Sequence, residues 1–396
     1  MHLYTSLGFL ATVVSAAPYL LSSRQQSDAQ NAVYWGQNGG TATENNDLST
    51  YCKPDSGIDI IILAFLSEWG NGNNVASGTI GQSCSISPSG DAQGCDDLAS
   101  AIDTCKSNGV KVILSLGGAS GAYSLQSQEQ AETIGQNLWD AYGKAGSGSV
   151  PRPFGSTFVN GWDLDIESNS GNEYYQYMIS KLRSNFASDA SNKYYITGAP
   201  QCPIPEPNMN EIITKAQFDY LWVQFYNNPG CSVNGPINYD DWKVNIANTP
   251  SAEAKIFIGV PASPLGATGT ESGAQYYLTP SELASLVSQY DTDPAFGGVM
   301  MWSAAWSDSN VINSNTYAQA AKQILSSGSI SSGSGSKSST SSTVASPTVA
   351  SPAVASPTVA SATVVSITAA PTITLSAVAI AMESETVAQW DQVRVF

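Results

Sequence analysis

The chain is 396 residues long, carries a formal net charge of −17 and has only 12% charged residues. Nucleic acid is a poor partner for such a surface, because phosphate recognition needs clustered Lys and Arg. The single histidine, His2, stands at the extreme amino terminus, so chemistry elsewhere in the chain proceeds without imidazole.

A polar start at Met1–Tyr4, an apolar run at Leu7–Val14 and the small residues Val14-Ser15-Ala16 have the layout of a secretory signal peptide. Residues 1–17 are read as that signal and 18–30 as an N-terminal extension. The protein is therefore expected to be secreted, extracellular or in a cell wall. Six cysteines (Cys52, Cys84, Cys95, Cys105, Cys202 and Cys231) agree with an oxidising compartment. They form no CxxC or Cys/His cluster, so neither a metal site nor a cofactor is expected. An acidic chain with 18 Tyr and 9 Trp suits a neutral polar substrate such as a polysaccharide.

Between Asn31 and Ser326, eight short runs rich in Val, Ile and aromatics recur: Ala32–Trp35, Ile58–Phe65, Lys111–Leu116, Gly161–Glu167, Tyr194–Ala199, Tyr220–Tyr226, Lys255–Val260 and Gly297–Trp302. Amphipathic stretches lie between them, among them Asp97–Asn108, Glu129–Tyr142, Glu173–Ala187, Tyr239–Ala247 and Pro280–Tyr290. Strands alternating with helices imply parallel pairing through crossovers. Eight such units predict an α/β fold of the TIM (β/α)₈ barrel type over residues 31–326. An open doubly wound sheet is the alternative, but no glycine-rich dinucleotide fingerprint supports it.

After Ser326 the composition changes. Residues 327–372 are Ser/Thr/Pro-rich and carry the repeat ASPTV, ASPAV, ASPTV within Val344–Ala360. Such a segment buries too little apolar surface to order itself and reads as a disordered stalk, O-glycosylated or a plain linker. Residues 373–396 form a tail without an assigned role. The apolar run Ile367–Ala381 raises a glycolipid anchor, but 15 residues follow it, four of them charged, so the anchor is not favoured. Cell-wall association through the tail is the remaining expectation for this region.

The most informative segment is Asn160-Gly161-Trp162-Asp163-Leu164-Asp165-Ile166-Glu167. On a strand, Asp163, Asp165 and Glu167 share one face and Trp162, Leu164 and Ile166 the other. Burying three carboxylates side by side favours retention of a proton on one of them. A carboxyl kept protonated is what a departing glycosidic oxygen needs, and Glu167 stands at the strand's C-terminal end, where barrel active sites lie. The same carboxylates also fit a Mg²⁺ or Ca²⁺ site. They fit a solvated acidic edge strand less well, because the flanking residues are apolar.

This segment resembles the DGxDxDxE signature of glycoside hydrolase family 18, with Asn160 in place of the first Asp. Tyr34-Trp35-Gly36-Gln37-Asn38, Ser115-Leu116-Gly117-Gly118, Gln224-Phe225-Tyr226-Asn227-Asn228 and Met301-Trp302-Ser303 resemble further segments of its plant-type, class III chitinases, a branch with fungal members. The resemblance implies an endo-acting chitinase that retains configuration by substrate-assisted catalysis on β-1,4-linked N-acetylglucosamine. It implies Glu167 as proton donor, Asp165 as the group orienting the acetamido substituent, and Asp163 sharing a proton with Asp165. Tyr226 would bind the acetamido oxygen with Gln224 beside it, Trp302 would floor the sugar site, and Gln37 and Tyr34 would contact sugar.

The resemblance also implies the disulfides Cys52–Cys105, Cys84–Cys95 and Cys202–Cys231. The expected partner is chitin or chito-oligosaccharides, bound by a monomer. About 35 residues between Val260 and Gly297 leave no room for an added α+β insertion, which favours an open groove. Two readings compete: a catalytically silent lectin on the same barrel, and an endo-β-N-acetylglucosaminidase acting on N-glycans.

Overall fold

The computed structural model describes residues 28–39, 42–146 and 148–328. The expected signal peptide, nearly all of the N-terminal extension, and the stalk and tail beyond Gly328 lie outside the described residues.

Eight parallel strands form the centre: β1 (Gln30–Trp35), β2 (Ile60–Gly70), β3 (Lys111–Gly117), β4 (Gly161–Asp165), β5 (Tyr195–Gly198), β6 (Tyr220–Gln224), β7 (Lys255–Pro261) and β8 (Phe296–Trp302). Each pairs with the next, and β8 pairs back onto β1 with Gln30 opposite Gly298, so the sheet closes into a barrel. The strands read as nearly unbroken apolar runs because both faces are covered. Alternate residues divide between two cores. Ala32, Tyr34, Ile60, Ile62, Ile113, Trp222, Phe257 and Met300 fill the barrel interior. Val33, Trp35, Ile61, Leu63, Trp162 and Leu164 pack outward among the helices.

The crossover helices include α1 (Asp96–Ser107), α2 (Gln128–Tyr142), α3 (Tyr175–Phe186), α4 (Asn210–Lys215), α5 (Tyr239–Ile246) and α6 (Pro280–Val287). Their starts follow local chemistry. Ser127 caps α2, and Thr279 forms a capping box with Glu282 around Pro280 at the head of α6. The predicted fifth helix stretch, Pro280–Tyr290, is three residues shorter in the structure.

Two differences from the sequence reading bear on the site. The second strand continues past Phe65 to Gly70 and turns back through Asn71 and Gly72, both at positive φ, into an antiparallel excursion of Asn73–Ile80, Cys84–Ile86 and Ala92–Gln93. Asn-Gly is the strongest short hairpin signal, because both turn positions need φ > 0. The fourth strand ends at Asp165 rather than Glu167. Its ladder with β5 stops at Leu164, and the Glu167 backbone N–H donates to the Tyr123 hydroxyl at 2.9 Å instead of to a strand. Between β7 and β8 the described elements are only a short 3₁₀ turn, Glu271–Tyr276, and α6.

The three disulfides are Cys52–Cys105, Cys84–Cys95 and Cys202–Cys231, the pairs implied by the resemblance. Cys84–Cys95 ties the excursion to the head of α1.

Candidate active site

Asp163 lies at the middle of β4, fully buried, with its side chain in the barrel. Four donors converge on it. Tyr34 Oη (2.6 Å) and Ser115 Oγ (2.7 Å) donate to Oδ2, while Thr197 Oγ1 (2.6 Å) and Trp222 Nε1 (2.8 Å) donate to Oδ1. The donors come from β1, β3, β5 and β6, so one carboxylate joins half of the barrel's strands. Burial pushes the Asp163 pKa up, and these four hydrogen bonds pull it back. A carboxylate has about four lone-pair sites, and all are taken here. On balance burial leaves the Asp163 carboxyl above its ordinary value, and among the described residues no hydrogen bond joins it to Asp165.

Asp165, two residues on, points into a cavity of about 320 Å³ at the C-terminal end of the barrel. The lining includes Tyr34, Phe65, Asp165, Glu167, Gln201, Gln224, Tyr226, Asn228, Met300 and Trp302. A larger hollow, about 510 Å³, lies at the opposite end, where Tyr195, Tyr220, Lys255 and Phe296 begin their strands. Barrel chemistry belongs to the C-terminal face, and only the smaller cavity contains Asp165 and Glu167.

Burial raises the Asp165 pKa well above the carboxylate range, and the charges of Glu167, Asp163 and Glu206 add to it. Gln224 Nε2 donates to Asp165 Oδ1 at 3.3 Å and to the Ala199 carbonyl at 2.9 Å, which fixes the amide against the carboxyl. Glu167 is pushed up to about 7, first by burial and then by Glu206. The pair thus holds a proton near neutrality, as like-charged carboxyls in a poorly solvated site must.

Backbone packing delivers this geometry. Gly117, at φ 117°, ends β3 so tightly against β4 that a Cβ would sit 2.0 Å from the Asp165 carbonyl oxygen. The following Gly118 N–H donates to that same oxygen at 2.8 Å. Tyr123 stacks on Trp69 with ring centroids 4.7 Å apart, donates to the Gly118 carbonyl and accepts from the Glu167 N–H. It holds the backbone at the end of the carboxylate motif.

Trp302 closes the other side of the cavity, its ring 5.6 Å from Tyr34 and 6.1 Å from Phe65. Tyr226 is buried and lines the cavity; burial, then Asp165 and Glu167, keep its hydroxyl protonated. Of the residues expected from sequence, the structure brings together Glu167, Asp165, Tyr226, Gln224, Tyr34 and Trp302, with Asp163 directly beneath them. Gln37 is not among them. It sits half-buried on the turn after β1, outside the cavity lining, because the chain has left the barrel by then.

Sequence reasoning named Ser115 only within a family-like segment and missed Thr197 and Trp222, three of the four donors to Asp163, although strand alternation places each on an inward face. It also missed Tyr123, Gln201 and Glu206. Their roles depend on loops folding back, and no local pattern marks that.

Comparison with known proteins gives a consistent picture. The sequence profile of glycosyl hydrolases family 18 matches residues 30–283. Endochitinase 2 of Metarhizium robertsii is 61% identical over 331 residues, which cover 81% of this chain and 79% of that protein. Among solved structures, a chitinase from Ipomoea carnea superposes with a TM-score of 0.58 at 31% identity, covering 74% of this chain and 99% of the other. A xylanase and alpha-amylase inhibitor protein from Scadoxus multiflorus is similar at TM-score 0.56 and 30% identity, over 75% of this chain and 98% of its own.

Proposed function

The chain belongs to glycosyl hydrolases family 18, and on that premise we propose that it is a secreted endochitinase in which the substrate supplies the nucleophile. Hydrolysis of chitin is the activity of the barrel. The route is inferred from one observation: the carboxylates lining the cavity, Asp165 and Glu167, issue from the end of a single strand, opposite the apolar Trp302 and Met300. A retaining glycosidase of the ordinary kind needs a second carboxylate across the sugar ring, about 5–5.5 Å from the acid. The cavity lining offers none there, and no histidine, cysteine or lysine either.

An N-acetyl group at C2 of the sugar meets the need. Its carbonyl oxygen attacks C1 as Glu167 protonates the departing glycosidic oxygen, giving a cyclic oxazolinium. Asp165 stabilises the positive charge that develops on the acetamido nitrogen, and Tyr226 donates to the carbonyl oxygen to align it. Glu167, now ionised, then takes a proton from the water that opens the ring, so the β configuration is retained. Trp302 supplies the apolar floor for the sugar. Asp163, held by its four donors, keeps Asp165 in register. Release outside the cell, and attachment to a wall through the stalk, fit the amino-terminal segment and the Ser/Thr/Pro composition.

The similarity to an inhibitor protein favours a second reading, a barrel of the same fold without turnover. The raised Glu167 and its contact with a cavity argue for catalysis. Chitin, cellulose and fully deacetylated chitosan offered in parallel separate the readings. Rapid release of β-anomeric oligomers from chitin alone is expected. Equal cleavage of deacetylated polymer would overturn the substrate-assisted route, and binding of chitin without any release would favour the silent barrel. Release of glycans from a glycoprotein in preference to chitin would point to an N-glycan endoglycosidase.

A further inference from the structure

Glu206 lies in the loop between β5 and α4, is 4% exposed, and is absent from the mechanism above. Its surroundings are one-sided. The Gln201 N–H donates to Oε1 at 3.1 Å, the Asn208 N–H donates to Oε2 at 2.7 Å, and the Met209 N–H donates to Oε2 as well. All these partners are donors. A protonated carboxyl would need an acceptor for its O–H, and among the described residues only donors are paired with it, an arrangement that favours the carboxylate.

The same loop is stitched to the general acid. Asn172 Nδ2 donates to the Ser168 carbonyl, at 3.0 Å, and to the Asn208 carbonyl, bridging the residue after Glu167 to the residue that Glu206 anchors. Gln201, also tied to Glu206, lines the cavity beside Glu167 and Asp165 and accepts from Asn228 Nδ2 at 3.3 Å.

We propose that Glu206 is a positioning residue for the general acid: it folds the 201–210 loop against the Glu167 turn, and its negative charge keeps the proton on Glu167. The inference rests on the reading of Glu167 as proton donor. The other titratable groups around the acid are Asp163 and Asp165 from β4, Tyr34 from β1, Tyr123 from the loop after β3 and Tyr226 after β6, and none of these is a cation. On α4, Glu211 and Lys215 pair with each other at the surface. Glu173, on the turn that carries Asn172, is exposed. Burial leaves Glu206 itself above the ordinary glutamate value, although its backbone donors pull it down. Glu206 also contributes to the upward shift of both Asp165 and Glu167.

The test is the pH dependence of kcat/KM on a soluble chito-oligosaccharide for Glu206→Gln, Glu206→Asp and Glu167→Gln. Removing the charge in Glu206→Gln should move the alkaline limb to lower pH by about one unit. The ratio of wild-type to variant activity then grows roughly tenfold between pH 5 and pH 8. Glu206→Asp should leave the limb near the wild-type position even if the loop is less stable. A loss that is equal at every pH would make Glu206 purely structural and overturn the proposal. Should the Gln variant not fold, carboxyl ¹³C NMR of the wild-type protein decides. Glu206 must stay ionised while Glu167 titrates, and a Glu206 that is neutral at pH 7 refutes the inference. Glu167→Gln separates the two claims. If it turns over like wild type, the proton-donor reading fails; if it is inactive and Glu206→Gln shows no shift of the limb, only the present inference fails.

Discussion

Replacing Glu167 by Gln should stabilise the protein above neutral pH while abolishing its chemistry at every pH. The folded-state pKa of Glu167 is about 7, against 4.5 for the unperturbed group. Below pH 4.5 both folded and unfolded chains carry the proton, and the group contributes nothing to the difference. Between 4.5 and 7 the unfolded chain ionises and the folded one does not, so stability falls as pH rises. Above 7 the full penalty remains, about 3 kcal/mol from a shift of two to three units. Gln has the same shape and no charge, so it removes that penalty and also relieves Asp165. With an unfolding entropy near 2 cal/mol/K per residue over a barrel of about 300 residues, the gain corresponds to about 5 °C in Tm. Differential scanning calorimetry at pH 4 and pH 8 measures it: the curves should coincide at pH 4, and the variant should melt higher at pH 8. Hydrolysis should drop by about 10²–10⁴-fold at either pH, since the transferable proton is lost. A variant that melts with or below wild type at pH 8 would refute the claim that burial and neighbouring charge hold the proton on Glu167.

Three further outcomes are expected. Thr197→Val or Trp222→Phe removes one donor from the buried Asp163 carboxylate and should cost about 1–3 kcal/mol in urea unfolding; no measurable loss would mean that water replaces the donor. Replacing Cys202 and Cys231 together by Ala opens a crosslink of sequence separation 29, which the chain-entropy account values at about 3–4 kcal/mol, readable as a lower midpoint in guanidinium. Truncation after residue 330 should leave hydrolysis of soluble oligomers at the full-length rate, because the removed segment has Trp390 and Phe396 as its only aromatics; a large loss would assign the tail a part in catalysis.

The barrel and the heart of its site were legible in the sequence for a physical reason. Strands buried on both faces must be apolar along their whole length, so the strand-like runs coincide in order with β1 to β8 even where their ends differ. Period-two alternation likewise put Asp163 and Asp165 on one face, and the expense of burying them made the segment conspicuous. Only the tertiary structure decided what surrounds them. Four strands that are far apart in the chain deliver Tyr34, Ser115, Thr197 and Trp222 to one carboxylate, which anchors Asp163 at the centre of the barrel. Glu167 leaves the strand because pairing with β5 ends first, and Tyr123 then catches its N–H from a different loop. Glu206, between two prolines, carries no periodicity at all; its meaning arises from backbone N–H groups that converge only when the loop folds. Local pattern determines which face a side chain occupies on a regular element. Partners contributed by other strands and by loops depend on closure of the whole barrel, and so do the charges they impose.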